Sequence, residues 1–273
     1  MKELALTNLY KTIGAIADSV MDYTELPEEL KRRDKLEPGR LRKMAYEEKI
    51  VRILKKRWRK QKDKINQSLS LWYPTRKAVI PPVLPPGMTP TDLADNETEN
   101  DLMITLISAF NHGVQLFEDA MLIGMDYTSV NTGAIEWAKK YVFDLIKGID
   151  ETTVKTLQTA LASFVSTPGM TIGDVVNMLP FDDQRALKIA TTEITRVYSE
   201  ANIQAGQEMQ SQFPGVRVVK TWFTNNDERV CLICEPLNGV EVDIDQEFGD
   251  GIDEPPAHPG CRCWISTRTK ING

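Results

Sequence analysis

Histidine is nearly absent from this 273-residue sequence, with two in all, and a long apolar run is absent altogether. A nuclease of the HNH type needs a general-base histidine besides further His, Asn or Asp ligands, so histidines only at 112 and 258 argue against one. No run of about 18 apolar residues occurs, so no membrane span is expected. The opening Met1-Lys2-Glu3-Leu4-Ala5-Leu6 leads into a mixed polar segment rather than a signal peptide. The chain therefore reads as one made in a reducing cytoplasm. Cysteine is scarce too, at four residues, and in that compartment clustered thiols point to metal rather than to disulfides. With 41% hydrophobic and 26% charged residues, the 30.8 kDa chain can bury a substantial core in one domain or two.

All four cysteines and one of the two histidines lie between 231 and 263. Cys231-Leu232-Ile233-Cys234 is followed, after a polar loop, by His258-Pro259-Gly260-Cys261-Arg262-Cys263. Soft donors concentrated in this way suit zinc, which takes about four thiolate or imidazole ligands in a tetrahedron. A Cys-x-x-Cys turn lets two thiolates converge on one ion. Side chains at i and i+2 share a face only where the backbone is extended, so Cys261 and Cys263 need a turn or an extended stretch to act together. Cys231, Cys234, His258, Cys261 and Cys263 are thus five candidates for four places.

The net charge of −6 hides an asymmetry. Residues 31–64 hold sixteen Lys or Arg against five acids, a local charge of +11, whereas the remainder carries −17. In Lys49–Lys60, Ile50, Ile53 or Leu54, and Trp58 recur at helical spacing, predicting an amphipathic helix ringed by cations. Such a face is either solvated or suited to a polyanion or an acidic protein, with Arg52, Lys55, Lys56, Arg57, Arg59 and Lys60 as candidate contacts. Six prolines between 74 and 90 then forbid continuous helix. The expected organisation is a basic helical N-terminal arm (1–73), a Pro-rich linker (74–90), a helical body (91–212) and a small β module with the Cys/His cluster (213–273).

Within the body, Leu102, Leu106, Phe110, Val114, Phe117 and Met121 form a helical stripe over 101–124, with His112 beside it in a structural role. Asn131-Thr132 can cap a helix that stops at Gly148, and a further helix is expected over 151–166. Thr171 and Asp174 have capping-box spacing before a short helix ending at Pro180. A long helix from Asp182 or Asp183 to about Met209 carries Leu187, Ala190, Ile194, Val197, Ala201 and Ala205 on its core face. Glu193 and Glu200 are expected on its solvated side. Strands are expected at 216–224, 239–244 and 263–267, with Trp222 and Trp264 filling the core of the module. Arg262, between two candidate ligands, is expected to donate to a thiolate or to make a surface contact.

Several ordered pieces together resemble the phage Mu F-like minor head proteins, also called phage head morphogenesis proteins. They are Arg185-Ala186-Leu187-Lys188-Ile189-Ala190-Thr191-Thr192-Glu193, the helix to Ala205-Gly206, Trp222, Asp227 to Cys234, Leu237-Asn238-Gly239, and Pro255 to Cys263. The likeness spans 134–268, and it departs at Thr191, where the family often has an arginine before the Thr-Glu pair. What it implies is a non-enzymatic structural protein of the virion, at the portal vertex or in the capsid interior of a tailed phage, needed for head assembly and for DNA packaging or delivery. The implied partners are the portal protein, the major capsid or scaffolding protein, and packaged DNA. The alternatives weighed from the residues are a zinc-containing DNA-binding regulator and an HNH-like nuclease. Against the regulator, the acids at 235, 241, 243, 245, 247, 250, 253 and 254 follow the Cys-x-x-Cys and repel phosphate. The expected fold is mainly α-helical with a small C-terminal β-rich zinc-binding module, an α+β arrangement.

Overall fold

The computed structural model describes residues 37–73, 84–122, 124–126, 128–225, 227 and 229–271. Residues 1–36 of the expected arm and 74–83 of the expected linker lie outside the described residues. Five α-helices occur among the described residues: α1 (Arg40–Trp72), α2 (Asn96–Met121), α3 (Thr128–Ser166), α4 (Ile172–Asn177) and α5 (Asp183–Gln212). They precede three strands, β1 (Val216–Phe223), β2 (Glu241–Asp243) and β3 (Trp264–Ile271). β1 is central and antiparallel to both neighbours, giving the order β2-β1-β3. The fold is therefore mainly helical with a small C-terminal sheet, as the periodicity predicts.

Two compact units share these elements. One comprises the described residues to Ile50 with Ile104–Ala138 and Leu187–Gly273, and the other comprises Val51–Met103 with Lys139–Ala186. α1, α2, α3 and α5 each contribute residues to both.

A local signal accounts for the start of α4 but for neither end expected of α3, which begins at Thr128, ahead of the expected cap at Asn131-Thr132. Thr171 caps α4, its hydroxyl accepting from the Asp174 N–H at 3.2 Å while the Asp174 carboxylate accepts from the Thr171 N–H at 2.7 Å. The expected stop at Gly148 does not occur, and α3 runs through it as one helix of 39 residues. Gly148 is exposed, whereas Val142, Ile146, Ile149, Thr153, Leu157, Ala160 and Phe164 keep a buried three-or-four-residue repeat across it. Continuous burial outweighs the roughly 1 kcal/mol that a helical glycine costs. In α5 the core face is Ala186, Ala190, Ile194, Val197, Ala201 and Ala205, all fully buried, while Leu187 is exposed. Glu193, expected in solvent, is buried beside Arg196.

The second unit packs Ile65 and Leu69 of α1, Leu157, Leu161 and Phe164 of α3, and Val175 and Val176 of α4 around Met88 and Leu93. In the first unit, α5 lies against both α2 and the sheet. A Cβ on Gly113 of α2 would stand 2.8 Å from Ala201 Cβ, and one on Gly206 would stand 3.0 Å from Ile244 and 3.3 Å from Val218. The small residues of α5 therefore set the closeness of both contacts. Phe117, Met121, Ala205, Met209, Val218 and Ile244 close that core. His112 is structural, its Nδ1 lying 2.6 Å from the Tyr198 hydroxyl; burial, with Arg42 and Lys43 nearby, draws its pKa down to about 4.

Replacing Gly113 by valine places methyl groups where Ala201 already stands, and overpacking of this kind costs about 1–3 kcal/mol. Urea denaturation of Gly113→Val is expected to show a correspondingly lower midpoint; an unchanged midpoint would contradict the close helix contact.

Candidate metal centre

One end of the sheet is built around sulfur. Trp222 of β1, fully buried, packs edge-on against Phe248 at 5.2 Å, and with Cys234, Cys261, Cys263 and Ile265 it forms one apolar cluster. Trp264 stacks on Phe223 at 4.5 Å, so both tryptophans serve packing.

The Cys-x-x-Cys segment is a tight turn. The N–H of Cys234 donates to the Cys231 carbonyl at 3.1 Å and that of Glu235 to the same oxygen at 2.9 Å, and a 3-10 turn over Glu235–Leu237 follows. The second segment also turns, with the Cys261 N–H donating to the His258 carbonyl at 3.1 Å. Gly260 adopts φ +79°, a left-handed conformation that glycine takes without strain. These two turns bring the donors together. His258 Nε2 lies 3.1 Å from Cys231 Sγ and 3.5 Å from Cys234 Sγ, and Cys234 Sγ lies 3.8 Å from Cys261 Sγ. Cys231, Cys234 and His258 form one group within 4.8 Å, Cys234, Cys261 and Cys263 another, and Cys234 belongs to both. Three cysteines are buried, and Cys231 is half-buried. Such a set can hold a metal ion.

The thiols do not ionise independently. A hydrogen bond from the Cys263 thiol, assisted by backbone donors, draws Cys261 down to about 5 against the effect of burial. Burial, with the Cys261 charge beside it, pushes Cys234 up to about 12. Cys263 is driven upward as well, first because it donates to Cys261 and then by burial. Negative charge thus gathers on Cys261 while Cys234 and Cys263 retain protons, which an incoming cation would displace.

Helix α5 and an ion pair hold the two turns in place. The Gly260 N–H donates to Thr192 Oγ1 at 2.7 Å, and Thr195 Oγ1 donates to the Cys261 carbonyl at 3.2 Å. Arg262 makes two bonds to Asp227, at 2.7 and 2.8 Å, and so clamps the approach to the first turn onto the second. Arg262 is therefore neither a donor to a thiolate nor a free surface contact. Motif spacing does not point to Thr192, Thr195 or Asp227 in these roles; the one hint is that Thr192 and Thr195 stand three apart, on one helix face. Further along α5, Glu200 faces Glu254, whose carboxyl is pushed up to about 9 chiefly by burial and then by the Glu200 charge.

The candidate basic contacts lie on α1 but differ in setting. Arg57 is fully buried, its Nη2 2.6 Å from Asp150 Oδ2 and 3.1 Å from the Leu93 carbonyl. Gln61 shares Asp150 at 2.9 Å. Burial pushes the Asp150 carboxyl upward against the pull of Arg57. Lys55 pairs with Asp183 at 2.8 Å, Lys56 with Glu97 at 2.5 Å, and Lys60 with Glu97 at 2.7 Å and Asp95 at 3.2 Å. Those three lysines keep 43–51% of their side chains exposed, and Arg52 and Arg59 are exposed. Exposed pairs of this kind are screened by solvent and weak, so the lysines can exchange partners at little cost.

Removing one member of a buried ion pair costs about 3–5 kcal/mol, because the other is left buried and uncompensated. Arg57→Met is expected to lose that much in urea denaturation, and Arg57→Met with Asp150→Leu to recover most of it. Equal stability of Arg57→Met and the unaltered protein would contradict a buried pair.

Residues 146–266 match the family described as Phage Mu protein F like protein. The match covers α5, β1, β2, the first residues of β3 and both cysteine-bearing turns, and bears out the resemblance drawn from their motifs. No curated protein and no solved structure matches the chain.

Proposed function

We propose that this chain is a structural head-morphogenesis protein of a tailed bacteriophage, carried in the virion at the portal vertex or capsid interior. The observation that carries this reading is the Mu F-like match over 146–266, which includes every donor of the cluster together with the helix that holds it. One feature supports a role without catalysis. Both histidines of the chain are engaged, His112 with the Tyr198 hydroxyl and His258 with Cys231 and Cys234. Among the described residues no helix is long and apolar enough to cross a membrane, and the partners proposed are the portal protein, the major capsid or scaffolding protein, and packaged DNA. The exposed cations Arg52 and Arg59, with Lys55, Lys56 and Lys60, form the face proposed to meet DNA or an acidic partner, and Arg57 supports that face from within.

The ion proposed for the cluster is zinc. Around a tetrahedral ion with bonds of about 2.3 Å to sulfur and about 2.0–2.1 Å to nitrogen, adjacent sulfurs stand about 3.8 Å apart and a sulfur and nitrogen about 3.5 Å. The Cys234–Cys261 and Cys234–His258 separations, 3.8 and 3.5 Å, have these lengths. When bound, zinc would staple the two turns, using Cys234 and three of Cys231, His258, Cys261 and Cys263.

Purified protein is expected to hold one zinc per chain by elemental analysis. Cys234→Ser is expected to abolish it, while the variant of the spare fifth donor retains it. Because binding displaces thiol protons, zinc affinity should rise with pH, and competition with a chelator should show this. No zinc in protein prepared under reducing conditions would refute the metal assignment.

Quantitative mass spectrometry of mature virions and empty precursor heads tests the head role. The chain is expected in the heads at a few copies, and charge reversal at Arg52 and Arg59 is expected to reduce that number. Absence from both particles would overturn the reading.

A further inference from the structure

At the tip of the Cys-x-x-Cys turn Leu232 is 87% exposed and Ile233 is 51% exposed, and Glu235 and Pro236 beside them are exposed too. Among the described residues other exposed large apolar side chains, such as Leu71 and Phe143, have none of the same kind next to them in sequence, as is ordinary on a protein surface. Here two adjoin. Metal binding does not explain them, since the motif needs only that two residues separate the cysteines, and polar ones would serve.

The tip is also held rigidly. Two backbone bonds to the Cys231 carbonyl close the turn, and the Asp227–Arg262 pair anchors its approach. An apolar knob of fixed shape loses little freedom when it is buried, which favours a role as an anchor in association. Charge identifies the kind of surface it fits. Of the ten acids in residues 227–254, Asp227, Glu241 and Asp243 are paired with cations from outside that stretch, whereas Glu235, Asp245, Glu247, Asp250 and Asp253 are exposed, and its single base is Arg229. Such a field repels the phosphates of nucleic acid and of anionic lipid, and complements a basic protein surface.

We infer that Leu232 and Ile233 form a docking knob that enters an apolar pocket with a basic rim on another protein of the phage head. The inference rests on the head-protein reading above. It gives the metal-stapled module a role distinct from that of the basic face of α1, namely an apolar protein contact that adds to that face in retaining the chain in the head.

The test places Leu232→Ser/Ile233→Ser, Leu232→Ser alone and Glu235→Lys in the source phage and measures copies per head by quantitative mass spectrometry. Purified variants are checked for zinc content and urea midpoint. The double variant is expected to be depleted from heads by about tenfold or more with zinc retained, the single serine variant and Glu235→Lys less so. Should the double variant lose zinc, Leu232→Ser decides. Incorporation of the serine variants equal to that of the unaltered protein would overturn the knob while leaving the head-protein reading intact. Absence of the unaltered protein from heads would overturn both. Undiminished Glu235→Lys would dismiss the basic rim. A concentration-dependent dimer in sedimentation, abolished by the double variant, would reassign the knob to a second copy of this chain.

Discussion

Five soft donors from two turns, 231–234 and 258–263, gather in two groups of three that share Cys234, each within 4.8 Å, and the contacts of the C-terminal third of the chain converge on them. Two threonines of α5 grip the second turn, Arg262 ties it to the approach of the first, and Trp222 fills the space behind. In each contact the residue type suits what it must do, with a hydroxyl to meet a backbone group, a guanidinium to span a carboxylate and a large ring to exclude water.

The basic helix illustrates how linear charge differs from surface charge. Sixteen cations in 34 residues suggest a uniform positive face. The fold divides those among the described residues by helical position. Arg57 turns inward to Asp150, Lys43 is buried against Glu37 at 2.6 Å, and several others meet acids supplied by distant segments. Part of the local charge thus does internal work, and the remainder is presented outward on a scaffold made rigid by the buried pairs.

Legibility in the sequence follows the range of the interactions. The capping box at Thr171, the strands and the stripe of α5 depend on neighbours within four residues and can be read directly. Gly148 misleads because its local tendency is overruled by a buried stripe running along all of α3. The five donors are evident from residue type and spacing, but their grouping into two triplets around Cys234 is not. That grouping depends on the turn geometry and on hydroxyls 68 and 66 residues away in sequence. Glu193 misleads for a related reason, since a helical period identifies a face but not what covers it.

The pairing of β1 with β3 has a further implication for how the chain reaches this state. Phe223 and Trp264 are register partners, so 40 residues, 224–263, must loop out before the two strands can meet. Joining Cys234 to Cys261 would divide that excursion into shorter loops, and the entropy lost on closure grows with loop length. An ion held there would act on the rate at which the sheet closes as well as on the stability of the closed form. The module would then fold slowly where metal is scarce, while the helices, built on local contacts, would form at their own pace.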